Sequence, residues 1–384
     1  MLSRGIIIRG FSTAGVGTRP IAPLSHVKVY SPPDSLNQVL RDSKDLKGAL
    51  KLDYNEATIP PPPAVTNRLV SFLNAQDGRL TLPWYPHLFG EACLEDITRH
   101  VDLDEKHILI NNGSDDGLRL IMDTFLAPGD RALVPQPSYP QVGIFIEGCH
   151  AQHMKMELKD PFHNDESELR AKIAEVDPKV VYLISPNNPT GTEWHPSFIE
   201  SLCKENPQRM IIADEAYHEF AKLPSSSQLV QSLPNLVVTR TFSKCFGLAA
   251  LRIGFLMAHE DTVGEMKKLY NSKSVNMLAQ LAASEALRNR DFYMSYAKEV
   301  CEARDWLVGD LRAAGLEARA GGGNFLCVKM PPGISPVEVV ERMTKRDIFM
   351  RDIHGRFPGF IRITAGTMEQ MKRVAAELKT ELRL

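Results

Sequence analysis

The sequence has little net charge, no long apolar run and no paired cysteines, and each absence excludes a class of protein. The formal net charge is -2, which argues against nucleic acid or an anionic membrane as the main partner. No apolar run reaches the roughly 18 residues that a membrane-spanning helix requires. The six cysteines include no C-x-x-C pair, so they predict a reducing compartment and no metal site.

Acidic residues are missing from the start of the chain, where none precedes Asp34. Arg4, Arg9 and Arg19 lie there among several hydroxyl residues. This composition is typical of a mitochondrial presequence, and the alternative is an N-terminal arm that packs on a neighbouring subunit. We expect residues 1–25 to be such an arm or presequence. The expected location is cytoplasmic, or the mitochondrial matrix if the segment is a presequence.

From about residue 100, short apolar strands alternate with amphipathic helices such as 115–125 and 196–204. The alternation predicts an α/β fold with a doubly wound, mainly parallel sheet covered on both faces. The predicted strands are rich in β-branched residues and lie at 107–110, 132–134, 180–184, 210–213 and 236–239.

After about residue 260 this rhythm stops, and a helix-rich stretch follows at 262–315. Three short apolar segments then predict strands of a smaller α+β domain, at 325–330, 348–350 and 360–363. We therefore expect a large domain at 61–276 and a small domain formed by 26–60 and 277–384.

Polar motifs follow five separate apolar segments, at 111–116, Tyr139, Asn188, Asp214 and Lys244. In open α/β sheets, ligands bind beyond the carboxyl ends of the strands. The sequence therefore predicts that all five motifs meet in one pocket.

Lys244 lies among hydroxyl residues and eight positions before Arg252. A lysine amine that loses its proton can join an aldehyde as a Schiff base, and it can also move protons. Thr241, Ser243 and Arg252 suit a dianionic phosphate, because hydroxyls and a guanidinium give charge-assisted hydrogen bonds. Pyridoxal 5'-phosphate (PLP) carries both an aldehyde and a phosphate. An isolated lysine here would be an ordinary surface residue, but these neighbours favour a PLP site.

Gly113, Ser114 and Asp115 open a predicted helix, so their backbone N–H groups and the helix dipole can face the same phosphate. The alternative is a plain helix cap with an acid in the first turn. The two interpretations are compatible.

Asp214 follows an apolar strand and can keep the pyridine nitrogen of PLP protonated, which lets the ring accept electrons. An unpaired carboxylate would be costly there, so a cationic partner is expected. The alternative role is a helix cap.

Tyr217 and Asn188 are predicted to hydrogen-bond the phenolic oxygen of the ring, although 187–191 also consists entirely of turn-forming residues. Tyr139 could stack on the ring face, or it could be a buried core tyrosine.

Arg362 lies within a predicted strand, where an arginine is costly unless it meets an anion. A substrate carboxylate or phosphate would satisfy it, and a structural salt bridge is the alternative. Arg351 and Arg356 lie nearby in the sequence and could add a second positive contact.

In this order, the motifs resemble those of the PLP-dependent aminotransferases of fold type I, classes I and II, and particularly the histidinol-phosphate aminotransferase branch. The resemblance covers about residues 26–384 and is carried by 52–56, 113–117, 185–191, 214–217, 243–254 and 361–364.

The resemblance implies that Lys244 is the Schiff-base lysine and that Asp214 and Tyr217 assist it. It also implies a homodimer with shared active sites. Tyr85 would reach the phosphate of the other subunit, Tyr30 would border the substrate, and Arg362 would grip the substrate anion.

The predicted function is PLP-dependent transfer of an amino group by a ping-pong mechanism. The donor is an amino acid or a phosphorylated amine such as histidinol phosphate, and the acceptor is a 2-oxo acid or a phosphorylated ketone. The segment 356–359 is also similar to threonine-phosphate decarboxylases, so a decarboxylase is an alternative. A PLP-binding regulator without catalytic activity is an alternative of another class.

Overall fold

The computed structural model describes residues 35–43 and 48–384. Its α-helices, numbered in chain order, are α1 (Ser35–Asp42), α2 (Pro63–Asn74), α3 (Gln76–Thr81), α4 (Glu91–Val101), α5 (Ser114–Phe125), α6 (Gln141–Gly148), α7 (Glu166–Val176), α8 (Pro196–Glu205), α9 (Glu260–Lys267), α10 (Met277–Arg288), α11 (Arg290–Ala313), α12 (Pro336–Thr344) and α13 (Met368–Leu382). The predicted residue Tyr30 and the segment 1–25 lie outside the described residues.

The strands are β1 (Leu50–Lys51), β2 (Ile108–Asn111), β3 (Arg131–Gln136), β4 (Gln152–Glu157), β5 (Val180–Ile184), β6 (Met210–Asp214), β7 (Leu236–Thr241), β8 (Gly254–Ala258), β9 (Glu317–Ala320), β10 (Phe325–Lys329), β11 (Ile348–Phe349), β12 (Arg351–Asp352) and β13 (Phe360–Thr364).

A seven-stranded sheet in the order β2-β8-β7-β6-β5-β3-β4 forms the centre of the large part. Strand β8 is antiparallel to both of its neighbours, and the other strands run parallel to one another. Every residue of β5, β6 and β7 is buried, as expected for strands that helices cover on both faces. The predicted doubly wound, mainly parallel sheet is confirmed.

Two strands of this sheet were not among those predicted. Strand β4 lies at the sheet edge, and Met156 is its buried residue, so its sequence lacks the apolar run of an internal strand. Strand β8 is fully buried and lies antiparallel between β2 and β7. It begins shortly after the segment 241–252, which was assigned to cofactor binding rather than to a strand.

The smaller part contains a four-stranded antiparallel sheet in the order β12-β13-β10-β9, and β1 pairs with β11. Helices α11 and α12 pack against these strands, and α13 packs against α11 and α12. This arrangement confirms the expected smaller α+β domain of the fold class. Helix α10 packs instead against α2 and α4, and one apolar core contains residues of both parts. The domain limits at residues 60 and 276 stay predictions.

Among the helices of the described ranges, none combines enough length with enough apolar character to cross a bilayer. Within the same residues, no group of three His, Cys, Asp or Glu side chains could hold a metal ion.

Candidate active site

A cavity of ≈ 570 Å³ lies where the carboxyl ends of the parallel strands meet the smaller part. It brings together most of the predicted site residues: Ser114, Asp115, Tyr139, Asn188, Asp214, Tyr217, Thr241, Ser243, Lys244, Arg252, Arg351 and Arg362. Strands β5, β6 and β7 are neighbours in the sheet, so the segments that follow them lie side by side.

Lys244 follows β7, and its Nζ donates a hydrogen bond to the backbone oxygen of Tyr54 (2.8 Å). Burial lowers the pKa of the Lys244 amine from 10.5 to about 8, although the Glu56 carboxylate opposes this shift. The lowered pKa increases the neutral, nucleophilic fraction of the amine near neutral pH. Lys244 is therefore suited to attack an aldehyde and to exchange protons.

Asp214 ends β6 and is almost fully buried. It accepts hydrogen bonds from the Tyr182 hydroxyl (2.5 Å), the Thr239 hydroxyl (3.0 Å) and the backbone N–H of Ala216 (3.1 Å). Burial raises the pKa of Asp214, and these three donors counteract that rise. All three donors are neutral, so these contacts do not supply the cationic partner predicted from the sequence. A protonated ring nitrogen would provide that charge.

Tyr217 and Asn188 lie on the side of the cavity that faces the smaller part. The Tyr217 oxygen accepts a hydrogen bond from Asn55 Nδ2 (3.1 Å), and burial raises the pKa of Tyr217. The Arg362 guanidinium donates to Asn188 Oδ1 (2.5 Å) and to the backbone oxygen of Asp53 (2.5 Å). Arg362 Nε is buried and has no hydrogen-bond partner among the described residues.

The start of α5 and the loop after β7 form an anion-binding corner. Arg252 donates to Asp115 Oδ2 (3.3 Å) and to Ser243 Oγ (3.5 Å), and the Thr241 hydroxyl accepts from the backbone N–H of Ser243 (3.1 Å). Gly113 precedes the helix at φ +81, and a Cβ there would lie 2.5 Å from Arg252 Nη2. Glycine is therefore required for the guanidinium to approach the helix N-terminus, which favours anions.

Tyr139 lines the cavity, and its hydroxyl donates to Asp115 Oδ1 (2.9 Å). Tyr85 does not line it within this chain. Its side chain is 77% exposed, and the Lys273 amine lies 4.7 Å from the ring centroid.

Several residues that line the cavity or contact its lining had no role in the sequence-based prediction. Tyr54, Glu56 and Asn55 belong to a segment that was noted as a family mark only, and Tyr182 was assigned to a strand. The only sequence signal for Tyr182 was a hydroxyl group within an otherwise aliphatic strand.

The residues present fit PLP. Lys244 can meet the aldehyde, and buried Asp214 can meet the ring nitrogen. Asn188 and Tyr217 can meet the ring oxygen, while Ser114, Thr241, Ser243 and Arg252 can hold the phosphate. Four chemically different groups of one small molecule therefore find matching side chains in one cavity.

Comparison with known proteins gives one consistent family. The family model described as aminotransferase class I and II matches residues 47–378. A dihydroxyacetone phosphate transaminase of Campylobacter jejuni is 35% identical over 338 residues, which is 86% of this chain and 89% of that protein.

A histidinol-phosphate aminotransferase of Anoxybacillus flavithermus is 30% identical over 367 residues, covering 94% of this chain and 95% of that protein. Among solved structures, the histidinol-phosphate aminotransferase from Sinorhizobium meliloti in complex with pyridoxal-5'-phosphate has a TM-score of 0.83. It covers 97% of this chain and 99% of that chain at 22% sequence identity, so this similarity concerns the fold.

Proposed function

The chain belongs to the class I and II aminotransferases, and from this premise we propose that its substrates carry a phosphate group. It is a PLP-dependent transaminase that takes an amino donor and a keto acid acceptor. The proposal concerns which substrates these are. The first candidates are a small phosphorylated ketone and the corresponding amine.

The observation that carries the proposal is a set of guanidinium groups from the smaller part of the molecule that line the cavity. Arg351, Arg356 and Arg362 all line it. Arg351 Nη1 and Arg362 Nε are buried without a hydrogen-bond partner among the described residues. A phosphate offers enough acceptors for charge-assisted hydrogen bonds to more than one of the guanidinium groups that line the cavity.

The similarity to a dihydroxyacetone phosphate transaminase and to histidinol-phosphate aminotransferases supports the same proposal, because the named substrates of both carry a phosphate. Because this chain is 35% identical to the dihydroxyacetone phosphate transaminase and 30% identical to the histidinol-phosphate aminotransferase, a phosphorylated ketone is the favoured substrate.

PLP supplies an electron-accepting ring that stores the amino group between the two half-reactions. Lys244 moves a proton to and from the substrate α-carbon, and its lowered pKa suits that task at neutral pH. Asp214 holds a proton on the ring nitrogen. Arg362 orients the substrate through its anion, and it also positions the Asn188 amide.

A half-reaction panel tests the substrate proposal. Holoenzyme is mixed with dihydroxyacetone phosphate or histidinol phosphate, after loading with an amino donor where needed, and with the unphosphorylated counterparts of both. We expect the second-order rate constant for the change in cofactor absorption to be at least about tenfold higher with the phosphorylated compounds. Equal efficiency for phosphorylated and unphosphorylated compounds would contradict the proposal.

The same panel addresses decarboxylation. O-phosphothreonine is included, and released CO₂ is measured together with the amino product. We expect transfer of the amino group without stoichiometric CO₂. Release of CO₂ without a need for an oxo acid would favour the decarboxylase alternative.

We also propose that the protein is a homodimer with shared active sites. Large apolar side chains are exposed on and around one short stretch: Leu80, Leu82, Trp84, Tyr85, Leu88, Phe89 and Leu269. Contiguous exposed apolar surface of this kind marks an interaction site. Because Tyr85 lies within it, Tyr85 is well placed to enter the site of a partner subunit.

A further inference from the structure

The segment Tyr54–Glu56 passes directly beside the Lys244 amine. Lys244 Nζ donates to the backbone oxygen of Tyr54 (2.8 Å), and Asn55 Nδ2 donates to the Tyr217 oxygen (3.1 Å). The backbone N–H of Asn55 donates to the Thr364 hydroxyl (3.0 Å), which ties the segment to β13. The segment is therefore held in place next to the reacting groups.

Glu56 differs from the other two acids that line the cavity. Asp214 is engaged by three hydrogen-bond donors, and Asp115 is engaged by Arg252 and the Tyr139 hydroxyl. Glu56 pairs with Lys51 through Oε2. Its Oε1 accepts no hydrogen bond from the part of the chain that the structure describes, and its side chain keeps 33% of its surface exposed.

Lys51 does not interact with Glu56 exclusively. Its amine also contacts Asp53 Oδ1 (3.1 Å) and lies 4.6 Å from the centroid of the Tyr54 ring. The Glu56 carboxylate still acts on Lys244, where it is the strongest electrostatic influence that opposes the lowering of the amine pKa. A negatively charged acceptor thus faces the part of the cavity where a substrate reacts.

We propose that Glu56 determines substrate specificity by accepting a hydrogen bond from a hydroxyl or N–H group on the substrate arm that does not carry the phosphate. The proposal rests on the proposed function, because the arginines are taken to hold the phosphate, which leaves Glu56 to contact the other arm of the substrate. The substrate class is therefore a hydroxylated phosphorylated ketone and its amino-alcohol phosphate. A substrate with a methyl group in place of the hydroxyl offers no donor to Glu56 Oε1.

The direct experiment compares two ketones that differ by one hydroxyl group. Dihydroxyacetone phosphate has a hydroxymethyl arm, and hydroxyacetone phosphate has a methyl arm with the same phosphate. For the wild-type holoenzyme we expect kcat/KM to favour the hydroxylated ketone by about tenfold or more, since a site that bonds a substrate hydroxyl discriminates against its absence. In Glu56→Ala the preference should fall below about threefold.

Glu56→Gln has nearly the same shape and keeps an acceptor oxygen without the charge, so it should give an intermediate preference for a hydroxyl donor. Glu200→Gln is the matched control, because Glu200 is a partly exposed acid on α8 that pairs with Lys204. That control should keep the wild-type preference. A wild-type preference in Glu56→Ala would overturn the proposal.

Binding without turnover separates this proposal from the proposed function. Calorimetry on the holoenzyme compares glycerol 3-phosphate with 2-hydroxypropyl phosphate, which lacks the terminal hydroxyl. Tighter binding of the first compound, lost in Glu56→Ala, supports the role of Glu56. Equal binding of both overturns that role and leaves the phosphate proposal standing. If neither compound binds, the role of Glu56 and the phosphate proposal are both overturned.

Discussion

Lys244 combines two requirements that conflict at the scale of a single residue. The amine must be buried enough to lose its proton. The folded chain must also accommodate this buried amine without a strong opposite charge beside it. Burial lowers its pKa to about 8, and Glu56 limits the shift. The protein therefore holds a lysine whose protonation is more costly when folded than when unfolded.

The pH dependence of stability tests this description in the cofactor-free protein. Between about pH 8 and 10.5 the unfolded chain binds the Lys244 proton and the folded chain does not, so wild-type stability rises with pH in this window. Lys244→Met should be more stable than wild type at pH 7, and the difference should shrink across the same window. Urea unfolding at a series of pH values measures it.

Lys204→Met gives the baseline for that series, because Lys204 is exposed on α8. A stability difference between Lys244→Met and wild type that stays constant from neutral to alkaline pH would show that Lys244 is not the group responsible.

Tyr182 acts on the reaction through Asp214 rather than by contact with substrate. Its hydroxyl donates to Asp214 Oδ2 (2.5 Å) in a fully buried position and lowers the pKa of that carboxyl. Tyr182→Phe should raise the pKa of Asp214 further and cost about 1.5–3 kcal/mol of folding stability, as is usual for a hydrogen bond to a charged group.

In the same variant we expect kcat to fall by about tenfold, PLP to bind more weakly and KM to change little, because Asp214 would hold the ring proton less well. The measurements are steady-state kinetics, the dissociation constant of PLP, and the pH titration of the cofactor absorption. Thr239→Val is the matched variant, since Thr239 donates to the other carboxylate oxygen. An unchanged cofactor titration in Tyr182→Phe would leave Tyr182 as a packing residue only.

At the scale of elements, the turn at 187–191 is held by the smaller part of the molecule. The backbone N–H of Gly322 donates to the backbone oxygen of Gly191 (2.7 Å), and the buried Cys327 thiol contacts the backbone oxygen of Pro189 (3.0 Å). Gly321 precedes the residue that donates this hydrogen bond, in the glycine run 321–323. It permits this close approach of two backbones.

Gly321→Ala tests the approach, because a Cβ at position 321 would lie 1.9 Å from the Gly191 oxygen. The backbone must shift to remove this overlap, so we expect a loss of about 1–3 kcal/mol in stability. The shift should also displace Asn188 and raise KM for anionic substrates, because Arg362 donates to that side chain. Chemical denaturation and steady-state kinetics measure the two effects.

Gly309→Ala is the control for that experiment. Gly309 lies within α11, and a Cβ there would meet nothing within 4 Å. Alanine is favoured over glycine inside a helix by about 1 kcal/mol, so this variant should be slightly more stable. Similar stabilities for both variants would refute the close-approach argument.

At the scale of the whole molecule, the exposed position of Tyr85 bears on the proposed homodimer with shared active sites. Its ring is 77% exposed, and Trp84 beside it is 69% exposed. A symmetric dimer would bury both side chains and place each Tyr85 near the site of the other subunit.

Complementation between inactive subunits tests this arrangement. Lys244→Ala and Tyr85→Ala proteins are each expected to have low activity. When they are mixed and allowed to exchange subunits, one site of each mixed dimer contains both native residues, so activity should recover to about one quarter of wild type. Activity of the mixture is compared with the sum of the separate proteins. No recovery, although mass measurement finds mixed dimers, would place Tyr85 outside the partner's site.

The sequence alone determined the fold class, the cofactor and most of the cavity residues. Buried parallel strands such as β5, β6 and β7 have a local signature, because burial on both faces requires a continuous apolar run. Asp214 is the last residue of such a strand, and Lys244 follows another within three positions. Both features depend only on residues that are close together in the sequence, so the sequence alone is enough to predict them.

Only the tertiary structure decided which distant groups meet. The bonds of Arg362 to Asn188 and to the Asp53 backbone join residues 174 and 309 positions apart, and those of Tyr182 and Gly191 also cross between elements. Strand β8, and the free carboxylate oxygen of Glu56 beside Lys244, likewise depended on packing. Such contacts have no local pattern, because they arise when elements that each fold for their own reasons pack against one another.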